Sequence, residues 1–174
     1  TLLVSDDGRR LVGCGSGRVS VHVLSPYPGW ESFTEQARTA IAALPQHVRA
    51  GGVQSLSVRY IDRIPIHDGV GFNDLLKTMI PCPSGMPEDL LRFHAFTHTI
   101  DPTDRTEVVL IQAGIPRSNE RPPAVLYDLN VARAGNPLCA LNDEEWIRIA
   151  EDLHQRQRDI FEASITDTTR ALFQ

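Results

Sequence analysis

The stretch SVRYIDRI, residues 57–64, holds more charge than a strand interior accepts without partners. Leu56, Val58, Tyr60 and Ile64 recur at the spacing of a core-facing strand, and period-two alternation puts Asp62 on their side. Arg59, Ile61 and Arg63 then share the other side. Two guanidinium groups on one strand face suit a carboxylate or another anion, which a planar fork can grip with paired hydrogen bonds. Arg59 and Arg63 are therefore read as peptide- or anion-binding residues. Asp62 has a plainer explanation. A carboxylate on a core face needs a partner, and the C-terminal helix offers His154 or Arg156. Asp62 with His154 is expected to be a structural polar pair that sets strand against helix.

Other chemically capable residues lack companions. His94 and His98 are four apart, a chelating distance on a helix. On a strand they stand about 13 Å apart, too far to share one ion. The segment reads as a strand, so no metal site is expected. His22, His47 and His67 have no patterned partners. Cys82 sits in the loop PCPSG, where a thiol becomes a nucleophile only if a nearby base lowers its pKa. Nothing in the pattern marks such a base, and His67 or His94 can only be nominated. Ser84 lacks the Gly-x-Ser-x-Gly elbow. The glycines of GCGSG at 13–17 make a hairpin turn and lead into no helix, so the dinucleotide fingerprint is not met. Glu144 and Glu145 lie at a helix start, where acids complement the dipole. Tyr27 and Trp30 of PYPGW are candidates to line a pocket. No catalytic residue and no cofactor is assigned.

These residues need a frame. TLLVS, RRLVGCG and VSVHVLS, joined at DDG and SGR, predict a three-stranded meander. Trp30, Phe33, Ala37, Ile41 and Leu44 follow at helical spacing, and Pro45 closes that helix. A long strand covers 53–66. A short helix is expected over 73–80 with Asn73 as its cap, before the proline-rich loop PCPSGMP. LRFHAFTHTI, EVVLIQAGI and AVLYDLNVA predict a second meander, and AGNPLCAL reads as a link. On the last strand Val125, Tyr127 and Leu129 fall on one face, and Leu126, Asp128 and Asn130 on the other. Asn142 with Glu145 resembles a capping box opening the final helix. Thirty helical residues would run about 45 Å, so that helix either breaks near SITDTT or overhangs.

The expected fold is α+β: an antiparallel sheet built from two meanders, packed against an amphipathic helix (about 30–44) and a long C-terminal helix (about 143–172). The length of 174 residues suits a single domain spanning 1–174. The chain starts at Thr1 without Met, so a missing N-terminal segment is expected. A net charge of −5 with no basic run argues against nucleic-acid binding. No apolar run is long enough to span a bilayer. Three scattered cysteines make neither a disulfide framework nor a zinc motif, which fits a cytoplasmic protein.

Three segments carry a resemblance: YPGW with Phe33, VRYIDRI, and LHQRQRDIFEASITD. Together they resemble a sporadically distributed, uncharacterised family of bacterial proteins. Its members share Tyr-x-x-Trp, an Arg-Tyr-Ile-Asn-Arg-Ile-like strand and a C-terminal Phe-Glu-x-x-Ile-Thr segment. Asp62 stands here where that family has Asn. The resemblance implies a bacterial, cytoplasmic protein and supplies no reaction.

The expected function is non-enzymatic. Open meanders leave edge strands, and an edge strand can take up an extended peptide or protein segment through main-chain hydrogen bonds. Arg59 and Arg63 would suit an acidic segment, and the same edges can join two copies into a homodimer. The alternative is a small-molecule binder of helix-grip type, with a cavity lined by Tyr60, Phe96 and Phe161. A hydrolase or transferase using Cys82 or a histidine is third.

Overall fold

A computed structural model describes residues 1–15, 17–45, 52–67, 69–77, 93–116, 122–141 and 144–173. The fold is α+β, with two antiparallel sheets and helices. The chain divides into two compact units, Thr1–Val53 with Cys139–Ile147, and Gln54–Leu138 with Arg148–Gln174.

The first unit contains the N-terminal meander. Strands β1 (Leu2–Val4), β2 (Arg10–Gly15) and β3 (Arg18–Val23) pair in that order. Helix α1 (Trp30–Ala42) follows. Its N-cap is Gly29, at a φ of 96° that a side chain would resist, which is why PYPGW can turn so sharply into the helix. Trp30 stacks on Phe33 with ring centroids 5.6 Å apart, and Tyr27 lies 6.5 Å from the same ring.

The second unit is built on a four-stranded sheet ordered β4-β7-β6-β5. Its strands are β4 (Val53–Pro65), β5 (His94–Ile100), β6 (Glu107–Ile115) and β7 (Ala124–Cys139). Strands β5, β6 and β7 form the second meander, and β4 joins at the outer side of β7. Hence, among the described residues, β4 and β5 are the two ends of the sheet. Strand β7 runs past the expected Ala132 to Cys139, so most of AGNPLCAL continues the strand instead of linking elements.

Helix α2 is only Phe72–Leu75, shorter than the expected 73–80, of which residues 78–80 lie outside the described set. Asn73 is inside it. The cap is Gly71, whose N–H donates to the Asp74 carboxylate at 2.7 Å. The C-terminal helix breaks within SITDTT, one of the two outcomes expected for it. Helix α3 (Glu145–Ser164) stops, and helix α4 (Asp167–Ala171) starts after Thr166, whose hydroxyl caps it. The break has a cause: Ile165 forms an antiparallel bridge with Leu76. Around it, Lys77 N–H donates to Ser164 O, Thr166 N–H to Leu75 O, and the buried Thr169 hydroxyl to Leu75 O. These bonds to α2 and the residues just after it replace those a continuing helix would have supplied. Asn142 lies outside the described residues, and so does its proposed capping box.

One sheet face is covered. Ala150, Leu153 and Gln157 of α3 recur at three- and four-residue steps and are buried. Val125, Tyr127, Leu129 and Val131, alternating along β7, are fully buried. Tyr127 reaches α3 at Phe161 and Ser164, which marks this as the helix-covered face.

Candidate functional site

Strand β4 sorts its polar residues onto two faces, as its alternation requires. Val58 and Ile64 are buried, and Ile61 is 58% exposed. Arg59, Ile61 and Arg63 occupy the face away from α3, and all three are exposed. Tyr60 and Asp62 lie with Val58 and Ile64 on the face under α3.

On the face away from α3, Arg59 grips Asp128 of β7. Nε donates to Oδ1 at 2.8 Å and Nη2 to Oδ2 at 2.6 Å, a bidentate pair. The two sides differ in exposure: the Arg59 side chain is 55% exposed and that of Asp128 only 8%. Asp128 fixes half the guanidinium, and Nη1 takes no part in that pair. Hydrogen bonding to Asp128 strengthens the hold on the Arg59 proton against the opposing effect of burial. Arg63 donates through Nη2 to the carbonyl of Pro122.

On the face under α3 Asp62 is half-buried, and burial raises its carboxyl above the ordinary value. No hydrogen bond or ion pair joins it to a described residue. The expected pairing with His154 is not the one observed. His154 stacks on Tyr60 at 5.7 Å, with Nδ1 3.4 Å from the Tyr60 hydroxyl. Burial lowers its pKa, and Arg158 adds to this while Glu151 opposes it. The other nominated partner, Arg156, is engaged elsewhere. It binds Asp101 and Asp104 at the β5–β6 turn, where Arg133 also holds Asp104 at 2.9 Å. Tyr127 donates its hydroxyl to Ser164 at 2.9 Å. Burial raises the Tyr127 pKa, Ser164 works against that, and the Asp62 charge adds to it.

Asp62 therefore has a pH signature. Its proton is held more tightly in the folded chain than in an unfolded one, so ionisation costs more when folded. Its contribution to stability is whole at acid pH and is lost as pH rises through the raised folded pKa. Asp62→Asn removes that loss. The variant is expected to be more stable than the wild type at neutral pH, with the difference vanishing on acidification. Urea unfolding of both proteins at several pH values checks this.

The nominated pocket residues do not converge. Tyr60 faces α3. Phe96 pairs with Ile111, which pairs with Asp128, so Phe96 sits on the face away from α3 and is 60% exposed. Phe161 packs on Tyr127 from the covered side. Cross-strand register thus divides Tyr60 and Phe161 from Phe96, and the helix-grip cavity drawn from all three is not formed. Tyr27 and Trp30 belong to the first unit. His94 and His98 lie on strand β5 as expected. Cys82, Ser84 and His47 lie outside the described residues. Among the described residues no three His, Cys, Asp or Glu side chains gather in a metal-binding group.

Asp128 is the partner that sequence reasoning missed. A signal for it exists: a carboxylate in an inner strand calls for a cation, and the neighbouring strand carries two on the matching face. No protein-family model, curated protein or solved structure matches this chain. Among the described residues no helix is long and apolar enough to cross a membrane.

Proposed function

We propose that this chain is a non-enzymatic recognition protein that takes up an extended peptide or protein segment along the outer edge of β4. The supporting observation is the place of β4 at the end of the four-stranded sheet, with Arg59, Ile61 and Arg63 exposed on the face away from α3. A segment adding to that edge would hydrogen-bond through its main chain. Its alternate side chains would meet an exposed isoleucine flanked by two cations. An acidic, apolar, acidic alternation matches that surface. Arg59 also serves the fold through Asp128, so Arg63 and Ile61 are the residues that report recognition most directly.

An array of extended peptides should select sequences with an acidic, an apolar and an acidic residue at i, i+2 and i+4, which share one face of a strand. For a selected peptide, Arg63→Glu is expected to weaken binding at least tenfold, the effect of about 1.4 kcal/mol. Amide shifts on binding should map to β4. Unchanged affinity in Arg63→Glu, or shifts confined to other strands, overturns the assignment.

A further inference from the structure

The opposite end of the sheet differs in chemistry. Strand β5, HAFTHTI, contains no Lys, Arg, Asp, Glu or Pro. It pairs with β6 through seven consecutive partners, from His94↔Ala113 to Ile100↔Glu107, without a bulge. Every residue except Ala95 is exposed. Proteins guard sheet edges with charges, prolines, bulges or covering elements, because an open edge pairs with whatever strand it meets. Among the described residues none of these devices protects β5.

The hydrogen-bond phase of the strand is known. Gly114 N–H donates to Phe93 O, and Asp101 N–H to Thr106 O. The odd-numbered residues of β5 therefore spend their main-chain groups on β6. His94, Phe96, His98 and Ile100 turn theirs outward.

We propose that β5 is a self-recognition edge, through which two copies of this chain join antiparallel into one continuous sheet, with the two-fold axis at Thr97. That register is the one the phase favours. It sets Phe96 opposite the second copy's His98, and His94 opposite the second copy's Ile100. All four are outward-bonding residues, and the four symmetric pairs make roughly eight main-chain hydrogen bonds. Thr97 meets Thr97 of the second copy at a non-hydrogen-bonded position, where threonine pairs are favourable. Phe96 lies across from an imidazole, and no like charges face each other. Strand β4 is less suited to a second copy. A two-fold at Ile61 would set Arg59 opposite the second copy's Arg63, and one at Asp62 would face two carboxylates. The two edges thus divide their work, β4 for a foreign segment and β5 for self. The second assignment stands on its own observations and does not depend on the first.

Cysteine cross-linking of the full chain tests the register. At a non-hydrogen-bonded antiparallel pair the Cα atoms lie about 4.5 Å apart, within disulfide range. Thr97→Cys should give a covalent dimer on mild oxidation. His98→Cys, whose like residue in the second copy is displaced diagonally, and the wild type with its native cysteines should not. Sedimentation velocity should show a wild-type dimer that is lost in Thr97→Lys, with circular dichroism confirming that the variant folds. Three results each overturn the assignment: a monomeric wild type, a Thr97→Lys protein that stays dimeric, or a His98→Cys protein that cross-links as readily as Thr97→Cys. Peptide binding measured on the Thr97→Lys monomer is expected to persist, so failure at one edge is told apart from failure at the other.

Discussion

Leu153→Ala is expected to lower stability by about 3 kcal/mol, the largest effect of any single change considered. Leu153 is fully buried on α3, between the buried Ala150 and Gln157. That stripe lies over a sheet face whose β7 residues Val125, Tyr127, Leu129 and Val131 are also fully buried. Truncation loses the transfer free energy of the removed carbons and leaves a cavity. The surroundings cannot close it easily, because α3 is tied at one end by Tyr127–Ser164 and along its length by Arg156 to Asp101 and Asp104. Urea unfolding followed by far-ultraviolet circular dichroism measures the change. A loss under about 1 kcal/mol, below the usual range for such truncations, would mean that α3 does not bear on the sheet as described.

Arg59→Ala is expected to cost about 2 kcal/mol, through the partner it abandons. Breaking a fully buried ion pair costs roughly 3–5 kcal/mol, and an exposed pair is worth about 0–1. This pair has one end in each regime, since water reaches Arg59 but hardly reaches Asp128. The penalty comes from the stranded Asp128 carboxylate, so removing its charge should relieve it. Asp128→Asn in the Arg59→Ala background should recover much of the loss, and a double-mutant cycle isolates the coupling. Arg59→Lys should be intermediate, because an ammonium cannot hold both carboxylate oxygens in one plane. Additive single and double variants would mean that the pair contributes nothing.

These outcomes separate two roles that one short strand combines. Arg59 spends much of its hydrogen-bonding capacity inside the sheet, while Ile61 stays open. On its other face burial raises the Asp62 carboxyl, and an amide there would carry no ionisation to oppose.

Much of the frame was legible because periodicity is a local property. Alternation in residues 53–66, the triplet of strands expected between 91 and 132, and the stripe of α3 each follow from side-chain spacing along a short segment. The two sides of β4 were readable for the same reason. Partner choice was not. Asp62 and His154 looked matched by chemistry, yet His154 meets Tyr60, and Arg156 reaches across to the β5–β6 turn. Strand register and helix placement decide such pairings, and neither is written in local spacing.

The amino-acid order by itself determined which residues share a face, because backbone pleat and helical pitch act within a few residues. Only the tertiary structure decided which faces meet, that α3 breaks at SITDTT instead of overhanging, and which strands remain at the sheet ends. Those results come from long-range backbone bonds such as Leu76–Ile165 and from the burial of a common core. Their energies are summed over residues distant in the chain.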